Sequence, residues 1–434
     1  RQRVTSDPIK TYASALRWLR SHADPERMRI VRYNTTNFNL SRMRRLLKAL
    51  GNPQENLKIV HVAGTKGKGS TCAMLSSMLQ ASGYTVGLYT SPHLIDLRER
   101  ITINGQVITQ TDLIELMRRL QKTVERELSN DEPSFFELMT AAAVVYFAEQ
   151  AVDVAVLEVG LGGRLDATNV MHPLVCGVAQ ISYDHTAILG SDLPSIAREK
   201  AGIFKKSVPA ISVRQKPEVE KTLAEVAEQA GTPLKFTGND IEFSYRFEAN
   251  RELGPHTRVC LTTEKFHYEH LPVPLRGEHQ ALNCGLALAL LDQLRQCGFD
   301  IAEPKLVTGL AATQLPGRME MAWNEPRILL DGAHNAASME SLIKALVVIF
   351  GCAGDKDIDG MLKQINLGAD KVIFSRAKSN PRAMEPDDLA RQFSDISEKM
   401  AQTADSLPEA LQLAARAVSR EDLICVTGSF HLVG

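Results

Sequence analysis

At 434 residues the chain exceeds what a single hydrophobic core usually holds, so two domains are expected. Its composition is globular, 44% hydrophobic and 23% charged, and its formal net charge of -1 argues against a general nucleic-acid or membrane-surface binder. No apolar run reaches the roughly 18 residues of a membrane span and no signal-peptide pattern opens the chain. The seven cysteines are scattered without a CxxC pair, so a reduced, cytoplasmic protein is expected, with neither a disulfide frame nor a zinc site.

The first fifty residues hold twelve Lys/Arg against three Asp/Glu. Arg42, Arg44, Arg45 and Lys48 fall on a predicted helix that ends at Gly51, with Met43, Leu46, Leu47 and Leu50 as its apolar face. The basic face reads as solvated, with attraction of an anionic substrate as the alternative. A strand over 58–62 then runs into a glycine-rich loop and a helix over 70–81. Further strands are predicted at 85–89, 153–159, 175–181 and 208–213, and further helices at 111–128, 135–150 and 217–230. This alternation predicts a mainly parallel sheet with helices on both faces. Between 240 and 270 apolar and polar residues alternate (Ile241, Phe243, Tyr245, Phe247, then Val259, Leu261), which predicts a small antiparallel patch. A long helix from 278 to about 297 closes the first domain, and a linker is expected at 298–304.

A second β/α series follows. The strand 328–330 leads into Asp331-Gly-Ala-His-Asn335 and a helix over 336–345, and strands are predicted at 347–350, 371–374 and 423–426. The fold class is therefore α/β: a P-loop-type, doubly wound, mainly parallel sheet domain over 1–298 with a small antiparallel patch, and a smaller Rossmann-like C-terminal domain over 299–434. The helix 336–345 meets the next strand with a shorter connection than such units use, so a missing loop near Leu346 is expected. A further tail beyond Gly434 is expected as well.

The chemistry starts at Gly64-Thr-Lys-Gly-Lys-Gly-Ser70. Glycines let backbone N–H groups turn onto a polyphosphate, Lys68 adds charge, and the following helix adds its dipole. The loop departs from the common GxxxxGK[ST] pattern, because Gly69 follows Lys68. Phosphoryl transfer also needs magnesium, held by a few protein ligands and the phosphates themselves. The ends of the first-domain strands offer candidates: Glu158 before Gly160-Leu-Gly-Gly-Arg164, His185 in Ser182-Tyr-Asp-His185, and Ser91 in Thr90-Ser-Pro-His93. In doubly wound sheets ligands bind at such carboxyl ends. Each residue alone has a blander reading: Glu158 paired with Arg164, a structural histidine, a Ser-Pro turn. Four polar strand ends together are harder to explain that way.

Gly64–Ser70, Thr90-Ser-Pro-His-Leu94, the run from Leu157 to Asn169, Asp184-His185, Glu199-Lys-Ala-Gly-Ile203, Leu315-Pro-Gly-Arg318 and Asp331–Asn335 occur in this order. Together they closely resemble the folylpolyglutamate synthase/dihydrofolate synthase family of the Mur ligase superfamily, over nearly the whole chain. The resemblance implies that Lys68 and the amides of Gly64, Thr65, Lys66, Gly67, Gly69 and Ser70 hold the ATP phosphates. It implies two Mg2+ ions, one bound by Ser91 and Glu158, the other by Glu158 and His185, with Lys200 joining them after carbamylation; a surface cation is the alternative for Lys200. Asn283 and Arg318 would contact ATP from the domain junction. Asp331 and His334 would face the incoming amino acid or the transferred phosphoryl group. Asp166 matches a functional aspartate, Ser429 would help place glutamate, and His93, with Asp96 and Arg98, would lie against the pterin-bearing substrate. Asp355 and Lys356 would serve domain closure or a turn.

The implied reaction is ATP-dependent ligation of L-glutamate to a folate or dihydropteroate carboxylate through an acyl phosphate, by a monomer. Two other readings stay open: a cell-wall Mur-type ligase, and a P-loop ATPase that ligates nothing. Cell-wall ligases carry an extra N-terminal domain, for which the residues before the first strand are too few.

Overall fold

In the computed structural model, residues 8–433 are described except 24–39, 185, 251–253, 276–278, 318–319, 325–326, 333–346, 370, 379, 398, 400 and 418–422. The expected helix 336–345 and the missing loop near Leu346 lie outside the described residues, as does Gly434.

The first sheet is built from β1 (Ile59–Ala63), β2 (Val86–Tyr89), β3 (Ile101–Ile103), β4 (Gln106–Val107), β5 (Val154–Glu158), β6 (Val175–Val178), β7 (Ala210–Ser212) and β8 (Leu234–Phe236). Their order is β4-β3-β2-β5-β1-β6-β7-β8. Pairing is parallel from β2 to β8, and β3 pairs antiparallel with both β2 and β4. The antiparallel edge was not foreseen, because its strands are too short to show a period.

Successive strand residues point to opposite faces, and both faces are covered. On one, Ile59, Ala155 and Leu157 pack with Leu19, Met43, Leu113 and Leu138 from helices Tyr12–Arg20, Leu40–Ala49, Gln110–Glu127 and Phe135–Glu149. On the other, Val60, Val62, Val154 and Val156 pack with Leu75 and Met78 from helix Lys68–Ala81 and with Leu286 and Leu290 from helix His279–Gln296. The predicted antiparallel patch is a three-stranded sheet, β9 (Glu242–Asn250), β10 (Gly254–Thr262) and β11 (His267–Pro272), whose Val259, Leu261 and Tyr268 close the second core.

Arg44, Arg45 and Lys48 are exposed, as a solvated basic face requires, but Arg42 departs from that expectation. It is buried and donates from Nη2 to Glu137 (2.8 Å) and from Nη1 to Asp131 (3.1 Å). Burial works against its charge; the hydrogen bonds and attraction of Glu137, then Asp131, outweigh it and leave the pKa raised. Glu137 meanwhile closes the capping box of Ser134, so one ion pair ties two helices together.

The second sheet holds β12 (Glu320–Asn324), β13 (Arg327–Leu330), β14 (Val347–Phe350), β15 (Lys371–Phe374), β16 (Ala401–Thr403) and β17 (Leu423–Thr427) in the order β12-β13-β17-β14-β15-β16, parallel except for β12. Phe350, Phe374 and Cys425 pack with helices Ile358–Gly368 and Pro386–Ser394, while Ile349, Ile373 and Val426 pack with helix Leu407–Ala417. The expected linker 298–304 is not a free connection. Phe299, Ile301, Leu306 and Leu310 are buried in the core of the first sheet, and Ser77 Oγ donates to the Gly309 carbonyl at 2.6 Å. Helix Glu303–Ala311 thus packs on the first unit, beyond the expected division at 298/299.

Candidate active site

The sheet order places β2, β5, β1 and β6 side by side, so the strand ends that carry Ser91, Glu158 and the loop 64–70 converge at one edge of the sheet. Val62 is in register with Glu158, which sets the carboxylate beside the loop that leaves β1. Helix Lys68–Ala81 begins at Gly67, whose φ of 83° is left-handed, and no side chain caps it. Its first N–H groups therefore remain for an anion. A Cβ on Gly67 would stand 2.0 Å from Asn283 Oδ1. Asn283, buried on helix His279–Gln296, lies against the loop and donates to Gln280 Oε1 at 2.9 Å.

Lys68 Nζ donates to the Gly64 carbonyl (3.1 Å) and stands 4.0 Å from Glu158 Oε1. Glu158, only 5% exposed, accepts from the Ser91 amide at 3.1 Å. Arg164 forms its ion pair with Glu199 at 2.8 Å instead of with Glu158. Lys200 is no surface cation: it is buried and donates to the same Gly64 carbonyl at 2.9 Å. Burial, then the Lys68 charge, lowers its pKa to about 7. The chain after β6 is stitched to the phosphate loop, for the amides of Thr65 and Lys66 donate to the Gln180 carbonyl and the Ser182 amide donates to Thr65 Oγ1.

The structure thus brings together the loop 64–70, Ser91, Glu158, Lys200 and Asn283. Asp166 is close by but turned to backbone work. It is buried, burial raises its pKa, and it accepts from the amides of Gly160 (3.1 Å), Leu161 (2.9 Å) and Thr168 (3.0 Å). His93 accepts at Nδ1 from Arg100 Nε at 2.9 Å. Asp96 and Arg98 are engaged with each other at 2.8 Å, and Tyr12 donates to Asp96 at 2.7 Å. Asp331, buried at the end of β13, and Ser429, which caps the short helix Phe430–Val433, belong to the second unit. That unit meets the first where Lys356 Nζ pairs with Asp184 at 3.2 Å and where Leu94 packs into the core around Ile349 and Val426. His185, Arg318 and His334 lie outside the described residues.

Among the described residues no three His, Cys, Asp or Glu side chains gather closely enough to hold a metal alone. One buried carboxylate beside a phosphate loop nonetheless fits magnesium, which is usually bound by one or two carboxylates with substrate phosphates and water completing the shell. Sequence reasoning passed over His61 and Arg100. A lone polar residue inside the apolar run 59–63 was the available signal for His61.

Fold and loop define the class first. Residues 62–291 match the Mur ligase middle domain and residues 317–430 the Mur ligase glutamate ligase domain, so the chain is an ATP-dependent ligase of the Mur type. Within that class it belongs to the folylpolyglutamate synthase/dihydrofolate synthase family. It is 34% identical over 408 residues to the dihydrofolate synthase/folylpolyglutamate synthase of Bacillus subtilis, covering 91% of this chain and 93% of that one. Its structure is similar to Mycobacterium tuberculosis folylpolyglutamate synthase complexed with ADP (TM-score 0.88, 30% identity, 98% and 97% of the two chains). It is also similar to a bifunctional folylpolyglutamate synthase/dihydrofolate synthase from Yersinia pestis with Mn, AMPPNP and L-glutamate bound (TM-score 0.83, 29% identity, 99% and 98%).

Proposed function

We propose that this chain joins the α-amine of L-glutamate to the carboxylate of a folate or dihydropteroate acceptor. The observation that carries the reading is the uncapped helix start at Gly67 facing the Lys68–Glu158 pair. A carboxylate is a poor acyl donor because oxide would have to leave. ATP solves this: the acceptor carboxylate attacks the γ-phosphate, giving an acyl phosphate and ADP. The glutamate amine then attacks the acyl carbon and phosphate leaves.

In our reading Lys68 and the amides at the helix start, Gly67 to Ser70, hold the β- and γ-phosphates and cancel charge as two anions meet, while the Thr65 and Lys66 amides, expected to join them, are taken by the Gln180 carbonyl and fix the loop instead. Ser91 and Glu158 would hold one divalent cation, and Glu158 and His185 a second, with Lys200 completing the set as a carbamate. Bound there, the cations would supply Lewis-acid charge neutralisation at the phosphates. The lowered pKa of Lys200 supports the carbamate, because only the neutral amine attacks CO2. Asn283 and Arg318 position ATP. Asp331, His334 and Ser429 receive glutamate from the second unit, and His93 contacts the acceptor. Asp166 holds the loop that follows Glu158. Closure of the second unit keeps water from the acyl phosphate, and the Lys356–Asp184 pair lies on that seam.

We further propose a monomer, divided between residues 311 and 317, that works in the cytoplasm. All seven cysteines are free, as a reducing compartment requires, and among the described residues no helix is long and apolar enough to cross a membrane. The test is a ligation assay with ATP, Mg2+ and glutamate that compares dihydropteroate with tetrahydrofolate and omits each component in turn. ADP release that needs an acceptor, and an amide product by mass, are expected. ATP hydrolysis indifferent to acceptor and glutamate would overturn the reading.

A further inference from the structure

β1 carries a polar side chain into the core. His61 is fully buried and is paired across the sheet with Leu157 and Cys176. Burial, then the Lys205 charge, drives its pKa down to about 3, so the ring is neutral at physiological pH. Its Nε2 lies 2.7 Å from Thr168 Oγ1, and its buried Nδ1 has no hydrogen-bond partner among the described residues.

The protons along this chain can be counted. Thr168 has one hydroxyl proton, and it goes to Asp166 Oδ1. The hydroxyl oxygen must then accept from His61, which fixes the imidazole as the Nε2–H tautomer. The other carboxylate oxygen of Asp166 accepts from the Gly160 and Leu161 amides. These residues leave β5 just beyond Glu158, whose carboxylate reaches the Ser91 amide. A rigid line of hydrogen bonds therefore runs from the floor of β1 to the backbone that aims Glu158.

We infer that His61, acting through Thr168 and Asp166, is a positioning residue for the Glu158 carboxylate and hence for divalent-cation binding with the nucleotide. The inference rests on the reading of Glu158 as a cation ligand. A buried ring with one bare nitrogen is a poor way to fill a core, where an apolar side chain carries no unpaired polar atom. Its contribution is directional: the one N–H orients the threonine hydroxyl, the hydroxyl orients the carboxylate, and the carboxylate holds two amides. Partners bonded directly to a metal ligand change cation affinity or activity about 10–100-fold when removed; His61 stands several bonds behind Glu158, so its removal falls at or below the lower end of that range.

The experiment titrates Mn2+ with a non-hydrolysable ATP analogue into the whole protein by calorimetry, alongside thermal unfolding and the Mg2+ dependence of ligation. His61→Leu and Thr168→Val remove the donor and the relay; His61→Gln and Thr168→Ser retain them. Cation affinity in the first pair should fall by up to about tenfold, with the Mg2+ needed for half-maximal rate rising in step. Thermal stability of His61→Leu should be unchanged or higher, and the second pair should recover most of the affinity. A role in stability alone predicts the opposite: lower unfolding temperatures with wild-type cation binding. If His61→Leu fails to fold, Thr168→Val decides. Wild-type cation affinity in Thr168→Val overturns the relay while the ligase reading stands, whereas a wild-type protein that binds no cation with the nucleotide overturns both.

Discussion

Replacing Gly67 with alanine tests the phosphate loop where backbone and packing meet. The substitution meets two obstacles. The φ of 83° puts an L residue in the left-handed region, at a cost of about 1–2 kcal/mol. The new methyl would also stand 2.0 Å from Asn283 Oδ1. Asn283 is buried and held by Gln280, so turning it away forfeits a buried hydrogen bond worth about 1–3 kcal/mol. The sum, about 2–5 kcal/mol, falls on the loop that receives the phosphates, and 2 kcal/mol alone lowers affinity about thirtyfold. Calorimetric titration of ATP into Gly67→Ala, Asn283→Ala and the double variant measures this. Because Asn283→Ala removes the obstructing amide, the two losses should be non-additive by about 1–3 kcal/mol. Wild-type ATP affinity in Gly67→Ala, or strictly additive losses, would refute the argument.

Glu158→Gln keeps shape and removes charge. Its kcat for ADP release should fall about 10²–10³-fold while ATP binding without divalent cation persists, and wild-type turnover would remove Glu158 from the site. Lys200→Ala should be inactive and partly restored by short carboxylic acids, read in the same assay. In the wild type, with a Lys200 pKa of about 7, the neutral amine grows as pH rises through 7. Stimulation by bicarbonate should accordingly be weak at pH 6 and strong at pH 8, and a flat profile would count against the carbamate. Arg42→Ala strands the buried Glu137 carboxylate and should cost about 3–5 kcal/mol in denaturant unfolding. Adding Glu137→Gln should return part of that loss, and equal stability of the two variants would show that no charge was stranded.

Much of the machinery was legible in the chain because it is local. The strand-loop-helix at 59–81 follows from an apolar run, a cluster of glycines and a helical period, and each is set by neighbours in sequence. The alternation of strands and helices fixed the parallel sheets in the same way, and the motifs from Gly64 to Asn335 carried the family. The tertiary structure decided what depends on partners far apart. Arg42 looked solvated until Glu137, on another helix, came within 2.8 Å. For Lys200 the surface-cation alternative stayed open until the fold set it against Gly64, where burial pulls its pKa to about 7. His61 looked like part of an apolar strand until Thr168 and Asp166 gave its one proton a direction. Periodicity reports which face a residue takes, but burial, charge state and hydrogen-bond direction are set by whatever the fold places opposite it.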